Sequence, residues 1–316
     1  MSATTTTLAA LPSSTAADWL QLLKPRVLVL VVYTAVAGLV VAPGAMHPVL
    51  CFAAILAIAV AAGASGALNM WFDRDIDAVM SRTARRPIPA GRIGADAALA
   101  FGVMLALAAV MVMALAANVM AAAWLTASIL FYVLVYTVWL KRRTAQNIVI
   151  GGAAGAFPPI IGWVAVTGHL ALLPVLMFAI VFVWTPAHFW SLALYASADY
   201  ARAGVPMLPV VAGARTTRAH ILAYTVLLAA VSAVPWLLGL AGPLYGVAAL
   251  ALGLRFVWHA LRVWRDQADA SGRSRRGDAA ARAAFRFSIL YLFVLFGALV
   301  ADRLLAHAPV LHGWIG

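Results

Sequence analysis

An all-α polytopic membrane protein with nine transmembrane helices is predicted by composition, by the spacing of apolar runs and by where the charges fall. Of 316 residues, 65% are hydrophobic and only 10% charged, with a mean hydropathy of +0.99, outside the range of soluble globular domains. The apolar runs are each about 18 to 25 residues long, enough to cross roughly 30 Å of hydrocarbon as helix. Strand barrels are excluded, because their segments are shorter and alternate polar with apolar positions.

The elements follow in order. Residues 1–23 contain no Lys or Arg, lack the basic segments of signal peptides and presequences, and read as a cytoplasmic tail. The membrane domain extends over 24–305, with spans near 25–45, 48–71, 95–117, 119–139, 147–167, 170–195, 219–239, 242–263 and 284–305; residues 306–316 form a short external tail. Basic residues crowd alternate connections: Lys24 and Arg26 before the first span, Arg74 to Arg92 after the second, Lys141 to Arg143 after the fourth. The same side receives Arg202, Arg215 and Arg218 after the sixth and Arg262 to Arg282 after the eighth. The opposite connections at 42–46, 117–119 and 167–169 carry none. Positive charge marks the cytoplasmic face, so the N-terminus is expected inside; the expected location is a bacterial cytoplasmic (inner) membrane. This asymmetry accounts for most of the net charge of +12, and no nucleic-acid partner is needed to explain it. A lone Cys51 excludes an intrachain disulfide and a Cys-based metal site.

The second span ends in Asn69-x3-Asp73-x3-Asp77. On a helix these residues recur every four positions and stack on one face, with neighbouring Cβ atoms about 6 Å apart. Carboxylates at the end of an apolar segment are costly and point to function; a row of hard oxygen groups suits Mg²⁺, which binds through one or two carboxylates and substrate phosphates. The plainer alternative is a solvated loop whose Asp residues pair with nearby Arg. Asp75 falls on another side of the helix and reads as a loop-pairing residue. The sixth span echoes the second, ending in Ser191-x3-Tyr195-x3-Asp199 before a Pro- and Gly-containing run, as expected of two similar helix sets lining a central cavity open to the cytoplasmic side.

The Asn69, Asp73, Asp77 series with its RPIPAGR continuation resembles the first aspartate-rich motif of the UbiA-type intramembrane prenyltransferases. LKPRV at 23–27, the block 136–163, WTPAHFWSLAL at 184–194 and DYARAGVPMLPVV at 199–211 are similar to the haem-farnesylating branch of that family. The resemblance implies farnesyl diphosphate and haem b as substrates within the lipid bilayer, and a downstream haem-modifying enzyme or oxidase assembly factor as recipient of the product. It implies that Asp73, Asp77 and Asp199 hold Mg²⁺, with Asn69 as a neutral ligand or orienting partner. Lys141, Arg142 and Arg143 would grip the diphosphate, with Arg82, Arg85 and Arg86 as further candidates; for each singly, a topology-setting charge is the alternative. The chain departs from the wider family where a second carboxylate is common, since Tyr195 stands there.

His188 lies in the sixth span beside Trp184, Phe189 and Trp190, and the resemblance places His188, Trp184 and Tyr195 at the haem; a hydrogen bond to a neighbouring helix near the Pro186 kink is the alternative. Gly151, Gly152 and Gly155 form a small-residue packing face. Three other functions stay open: a quinone-precursor prenyltransferase, a secondary transporter and a non-catalytic haem-handling protein. The transporter gives no reason for charge to gather at one end only.

Overall fold

Each helix of this chain is built to bury one stripe and to show the rest to lipid. A computed structural model describes residues 14–267 and 274–306. Residues 1–13 of the expected N-terminal tail, Arg273 of the long connection, and the external tail beyond Ala306 with His307 and His312 lie outside these. The described residues are helical, in the order α1 (Ala16–Leu22), α2 (Pro25–Val41), α3 (Pro48–Phe72), α4 (Arg74–Val79), α5 (Ala95–Ala116) and α6 (Val119–Leu130). A π-helical stretch Phe131–Leu140 continues α6. There follow α7 (Asn147–Ala156), α8 (Pro158–Thr167), α9 (Leu172–Tyr195), α10 (Ser197–Arg202), α11 (Leu208–Val211), α12 (Gly213–Leu237), α13 (Pro243–Trp264) and α14 (Ala279–Ala306).

Among the described residues, eight spans are long and apolar enough to cross a membrane, and nine when α1 and α2, bent by 52° to one another, are taken together. The nine predicted spans are all present. Two are irregular inside: α7 and α8 form one span broken at Phe157, where Pro158 starts a new helix, and α6 widens into the π-helix. Residues 16–22 form a helix capped by a reciprocal Thr15–Asp18 box and tied by Asp18 to Arg92 at 2.7 Å. Leu22 is buried against Ala67, Met70 and Ile93, so this segment docks under α3 and α5.

The helices form a closed ring. α2 packs on α3, α3 on α5, α5 on α6, α6 on α8, the α7–α8 span on α9, α9 on α12, α12 on α13, α13 on α14, and α14 back on α2; α2·α8 and α9·α14 contacts brace the interior. The α7–α8 span and α9 are the most buried, whereas α5 and α6 expose Leu107, Leu115 and Val119 outward. Large apolar side chains facing out are what a lipid solvent selects. Buried hydroxyls are satisfied within their own helices, as in Thr185 to the Val181 carbonyl (2.8 Å) and Thr225 to that of Ile221 (2.7 Å).

The α2–α8 brace depends on two glycines that face each other's backbone. A Cβ added at Gly162 would sit 2.1 Å from the Ala35 carbonyl oxygen, and one at Gly38 would sit 2.1 Å from that of Pro159. Backbones this close require small residues at the crossing. Gly151 and Gly152 are likewise closed off, by Tyr136 and Thr185, but Gly155 faces open space. Gly162→Ala is therefore expected to destabilise the protein by about 1–3 kcal/mol or more through overpacking, with Gly155→Ala close to wild type. Thermal unfolding of both variants in detergent checks this, and equal midpoints would show that the crossing is not tight.

Candidate active site

The polar residues converge where α3 ends. Asp73 N donates to the Asn69 carbonyl (2.9 Å) and Asp77 N to that of Asp73 (2.8 Å), so the helical path continues across the break at Asp73 into α4. The side chains of Asn69, Asp73 and Asp77 share one face, and all three are buried, Asp73 completely.

Buried carboxylates need compensating charge, and it is supplied from other elements. Lys141, at the end of the π-helix, pairs with Asp73 Oδ2; Asn69 Nδ2 donates to the same oxygen at 2.7 Å. Asp73 Oδ1 accepts no hydrogen bond, with the Arg142 guanidinium 3.6 Å away. Arg86 donates to Asp77 Oδ2 at 2.6 Å, and the Thr83 hydroxyl to the Asp77 carbonyl at 2.8 Å, which folds the connection after α4 back over the site. Arg142 is held chiefly by Asp75, through two bonds of 2.6 and 2.7 Å. That fork keeps the Asp75 carboxyl below its ordinary range and raises the Arg142 guanidinium, so Asp75 is the loop-pairing residue its position suggested.

Asp199 belongs to the same corner. Its carboxylate accepts from Ser81 Oγ at 2.8 and 3.0 Å and pairs with Arg202. Beside it, Arg82 donates to the Tyr200 hydroxyl at 2.7 Å and lies 4.8 Å over that ring. The two echoing helix exits thus touch, on an apolar platform of Ile76, Met80, Trp190, Ala193, Leu194 and Tyr200. Arg143 and Arg85 are exposed, and their side chains pair with none of the described carboxylates. Of the expected site residues, the structure gathers Asn69, Asp73, Asp77, Lys141, Arg142 and Arg86 tightly, brings Arg82 and Asp199 alongside, and leaves Arg143 outside.

Sequence reasoning missed Lys24. Its Nζ donates to Asn69 Oδ1 at 2.6 Å, reaching the site because the backbone at Lys24 is left-handed (φ 53°, ψ 55°). Such a conformation is rare for a residue with a long side chain. The available signal was a Lys directly before a helix-starting Pro, where the right-handed α region is disfavoured; that marks a turn without giving its left-handed sense. Thr137 was missed too; its hydroxyl lies 3.1 Å from Asn69 Nδ2.

The residues expected at the acceptor, His188, Trp184 and Tyr195, lie on α9 where it faces α14. His188 is buried, its ring stacked between Trp184 (4.2 Å) and Phe285 (4.4 Å), and Trp184 Nε1 donates to the Ser288 carbonyl at 2.7 Å. His188 Nδ1 lies 2.6 Å from Ser288 Oγ. Tyr195, one helical stretch nearer the carboxylates, meets Phe285 edge-on and lies 4.4 Å beneath the Arg282 guanidinium.

A nine-span ring with paired Asp-bearing helix exits and basic connections on one side defines a class. The model of the UbiA prenyltransferase family matches residues 31–289, and the chain belongs to that family. Its relatives include a protoheme IX farnesyltransferase of Acidiphilium cryptum, 65% identical over 92% of each chain, and one of Granulibacter bethesdensis, 63% identical over 92% of each. Among solved structures, a UbiA homologue of Archaeoglobus fulgidus bound to GPP and Mg²⁺ superimposes with a TM-score of 0.67 at 16% identity, covering 89% of this chain and 99% of that one. A digeranylgeranylglyceryl phosphate synthase gives 0.73 at 16% identity, covering 91% and 98%. At such identity the shared property is the fold.

If Asp73 is held by charge, Lys141→Met should cost about 3–5 kcal/mol, because it strands a buried carboxylate. Adding Asp73→Asn to that variant should recover most of the loss, whereas Asp75→Asn alone should cost about 1 kcal/mol or less, its pair being at the surface. Unfolding midpoints of the three variants decide it. A double variant no more stable than Lys141→Met would show that the ion pair does not hold this corner.

Proposed function

We propose that this corner binds farnesyl diphosphate and that the chain transfers the farnesyl group to a vinyl group of haem b, with addition of water, giving haem O and diphosphate. The observation that carries the reading is the ring of cations around this carboxylate cluster: Lys24, Lys141, Arg142, Arg86, Arg82 and Arg202 outnumber Asp73, Asp75, Asp77 and Asp199. A site with that excess suits a polyanion. The names of the relatives support the same acceptor and donor.

An allylic diphosphate ionises only when the charge developing on its leaving oxygens is neutralised. Mg²⁺ supplies this when bound, acting as a Lewis acid on those oxygens. The residues present fit it in kind: the donors are all hard oxygens, and Asp73 Oδ1 is buried without a hydrogen-bond partner. Asp73, Asp77 and Asp199, with Asn69 beside them, would hold the ion. Among the described residues no three such groups converge on one point; Lys141 and Arg86 are paired with the carboxylates. Those two cations are then free to turn to the phosphoryl oxygens, Arg86 as a fork and Lys141 as a point charge, so each charge keeps a partner when substrate enters. The apolar surroundings keep water from the allylic cation until the vinyl group has added.

The acceptor sits toward α9 and α14, against His188, Trp184 and Tyr195. By the positive-inside rule the diphosphate corner faces the cytoplasm of a bacterial inner membrane, with the N-terminus on that side. The product leaves into the bilayer, for a haem-modifying enzyme or oxidase assembly factor.

Purified protein incubated with haem b, farnesyl diphosphate and Mg²⁺ should yield the mass of haem O, and chelation of the divalent ion should stop it. Product from a quinone precursor but none from haem b would overturn the acceptor. Asp73→Ala and Asp77→Ala should each lower turnover by at least about a hundredfold, the several kcal/mol expected of lost metal-assisted charge neutralisation, while still inserting and purifying. Near wild-type turnover in saturating Mg²⁺ removes that residue from the reaction.

A further inference from the structure

The contacts of His188 specify more than its position. Ser288 Oγ lies 2.6 Å from the carbonyl oxygen of Phe285 on its own helix and 2.6 Å from His188 Nδ1 across the helix interface. A serine hydroxyl has one proton. Two oxygens at 2.6 Å require that proton between them, so Ser288 donates to Phe285 and its remaining lone pairs can only accept. The proton on the second contact is therefore the histidine's, and Nδ1 is the N–H donor. In a neutral imidazole Nε2 then carries the lone pair.

Everything around the ring enforces that arrangement. Trp184 covers one face and Phe285 the other, with interplanar angles of 18° and 25°, and Phe189 meets it edge-on at 5.0 Å. Trp184 also holds the Ser288 carbonyl, so the serine is clamped to α9 at two points. Nε2 has no hydrogen-bond partner among the described residues. An imidazole with both faces stacked and one nitrogen anchored has a single functional edge left.

Metal-ligating histidines characteristically have their other ring N–H fixed by a protein acceptor, which sets the tautomer and the ring orientation. We infer that Ser288 is a positioning residue that holds His188 as the Nδ1–H tautomer and so presents the Nε2 lone pair to the iron of the haem acceptor. The inference rests on the reading of His188 as a haem contact. Its consequence is specificity: the acceptor is recognised through its metal, and a metal-free porphyrin gains nothing from this pair.

Titration of the purified, full-length protein with ferric haem and, separately, with iron-free protoporphyrin IX tests it, read by absorbance and by the iron–imidazole band in the Raman spectrum of the reduced complex. His188→Ala should abolish the imidazole-ligated spectrum. Ser288→Ala should weaken haem binding by about 10–100-fold, the usual effect of removing a ligand's anchoring partner, shift the iron–imidazole band and leave protoporphyrin affinity unchanged. Ser288→Thr, which keeps a hydroxyl, should restore the wild-type values. Ser288→Cys keeps the volume but weakens the acceptor, and it carries the same test if the alanine variant does not purify. Equal losses of haem and protoporphyrin in Ser288→Ala, or no loss of either, would overturn the role of Ser288 alone, provided His188→Ala loses ligation. An unchanged haem spectrum in His188→Ala would overturn the haem contact and the inference together.

Discussion

The fully buried carboxylate of Asp73 is the constraint around which the rest of this protein is arranged. An ionised group withdrawn from water is tolerated only where opposite charge and hydrogen bonds surround it, and here the partners come from both near and remote parts of the chain. Lys141 arrives at the end of the fourth span, Asn69 from one turn earlier, and Lys24, through Asn69, from the entrance to α2. Three irregularities of the bundle serve those approaches: the left-handed residue before Pro25, the break between α3 and α4, and the wide turns of 131–140. A regular set of straight helices would deliver none of these side chains to one point.

The same arrangement sets a charged and an apolar cluster in one bundle. The ionic corner lies at the basic end of the ring, and the aromatic pair around His188 lies between the two helices that brace its interior. Tyr195 stands between the two halves, touching Phe285 on one side and Arg282 on the other. The charged and the apolar clusters thus keep different surroundings, each fixed by its own packing and hydrogen bonds, as electrostatic preorganisation requires.

Much of this was legible in the chain before any coordinates. Lipid imposes a length and a composition on every span, so nine helices could be counted, and the i, i+4, i+8 spacing of Asn69, Asp73 and Asp77 survives even the helix break. The contact between the two helix exits was foreshadowed by their shared pattern. What could not be read depends on tertiary approach. Lys24 looked like one more basic residue at a membrane edge, because nothing local says that its backbone is left-handed. Ser288 sits in a span known only as apolar, and its meaning comes from a histidine 100 residues away. Arg142 and Arg143 are adjacent and chemically alike, yet only the first faces the carboxylates, a difference set by the pitch of the helix before them.

That pitch has a consequence for how the family can vary. A π-helix spends about one residue more per turn than an α-helix, so the stretch 131–140 holds slack in its register. Deleting a single residue there would let part of the stretch tighten toward ordinary α-helix, changing the length of the span by no more than about the rise of one or two residues, roughly 1.5 Å each, while altering the direction in which the residues beyond it leave the helix. The hydrophobic match to the bilayer would hardly change, while Lys141 would rotate away from Asp73. Membrane thickness and catalytic register are thus set by separate features of the same helix, and insertions or deletions in this segment act as a dial on the site that leaves the anchoring of the protein untouched.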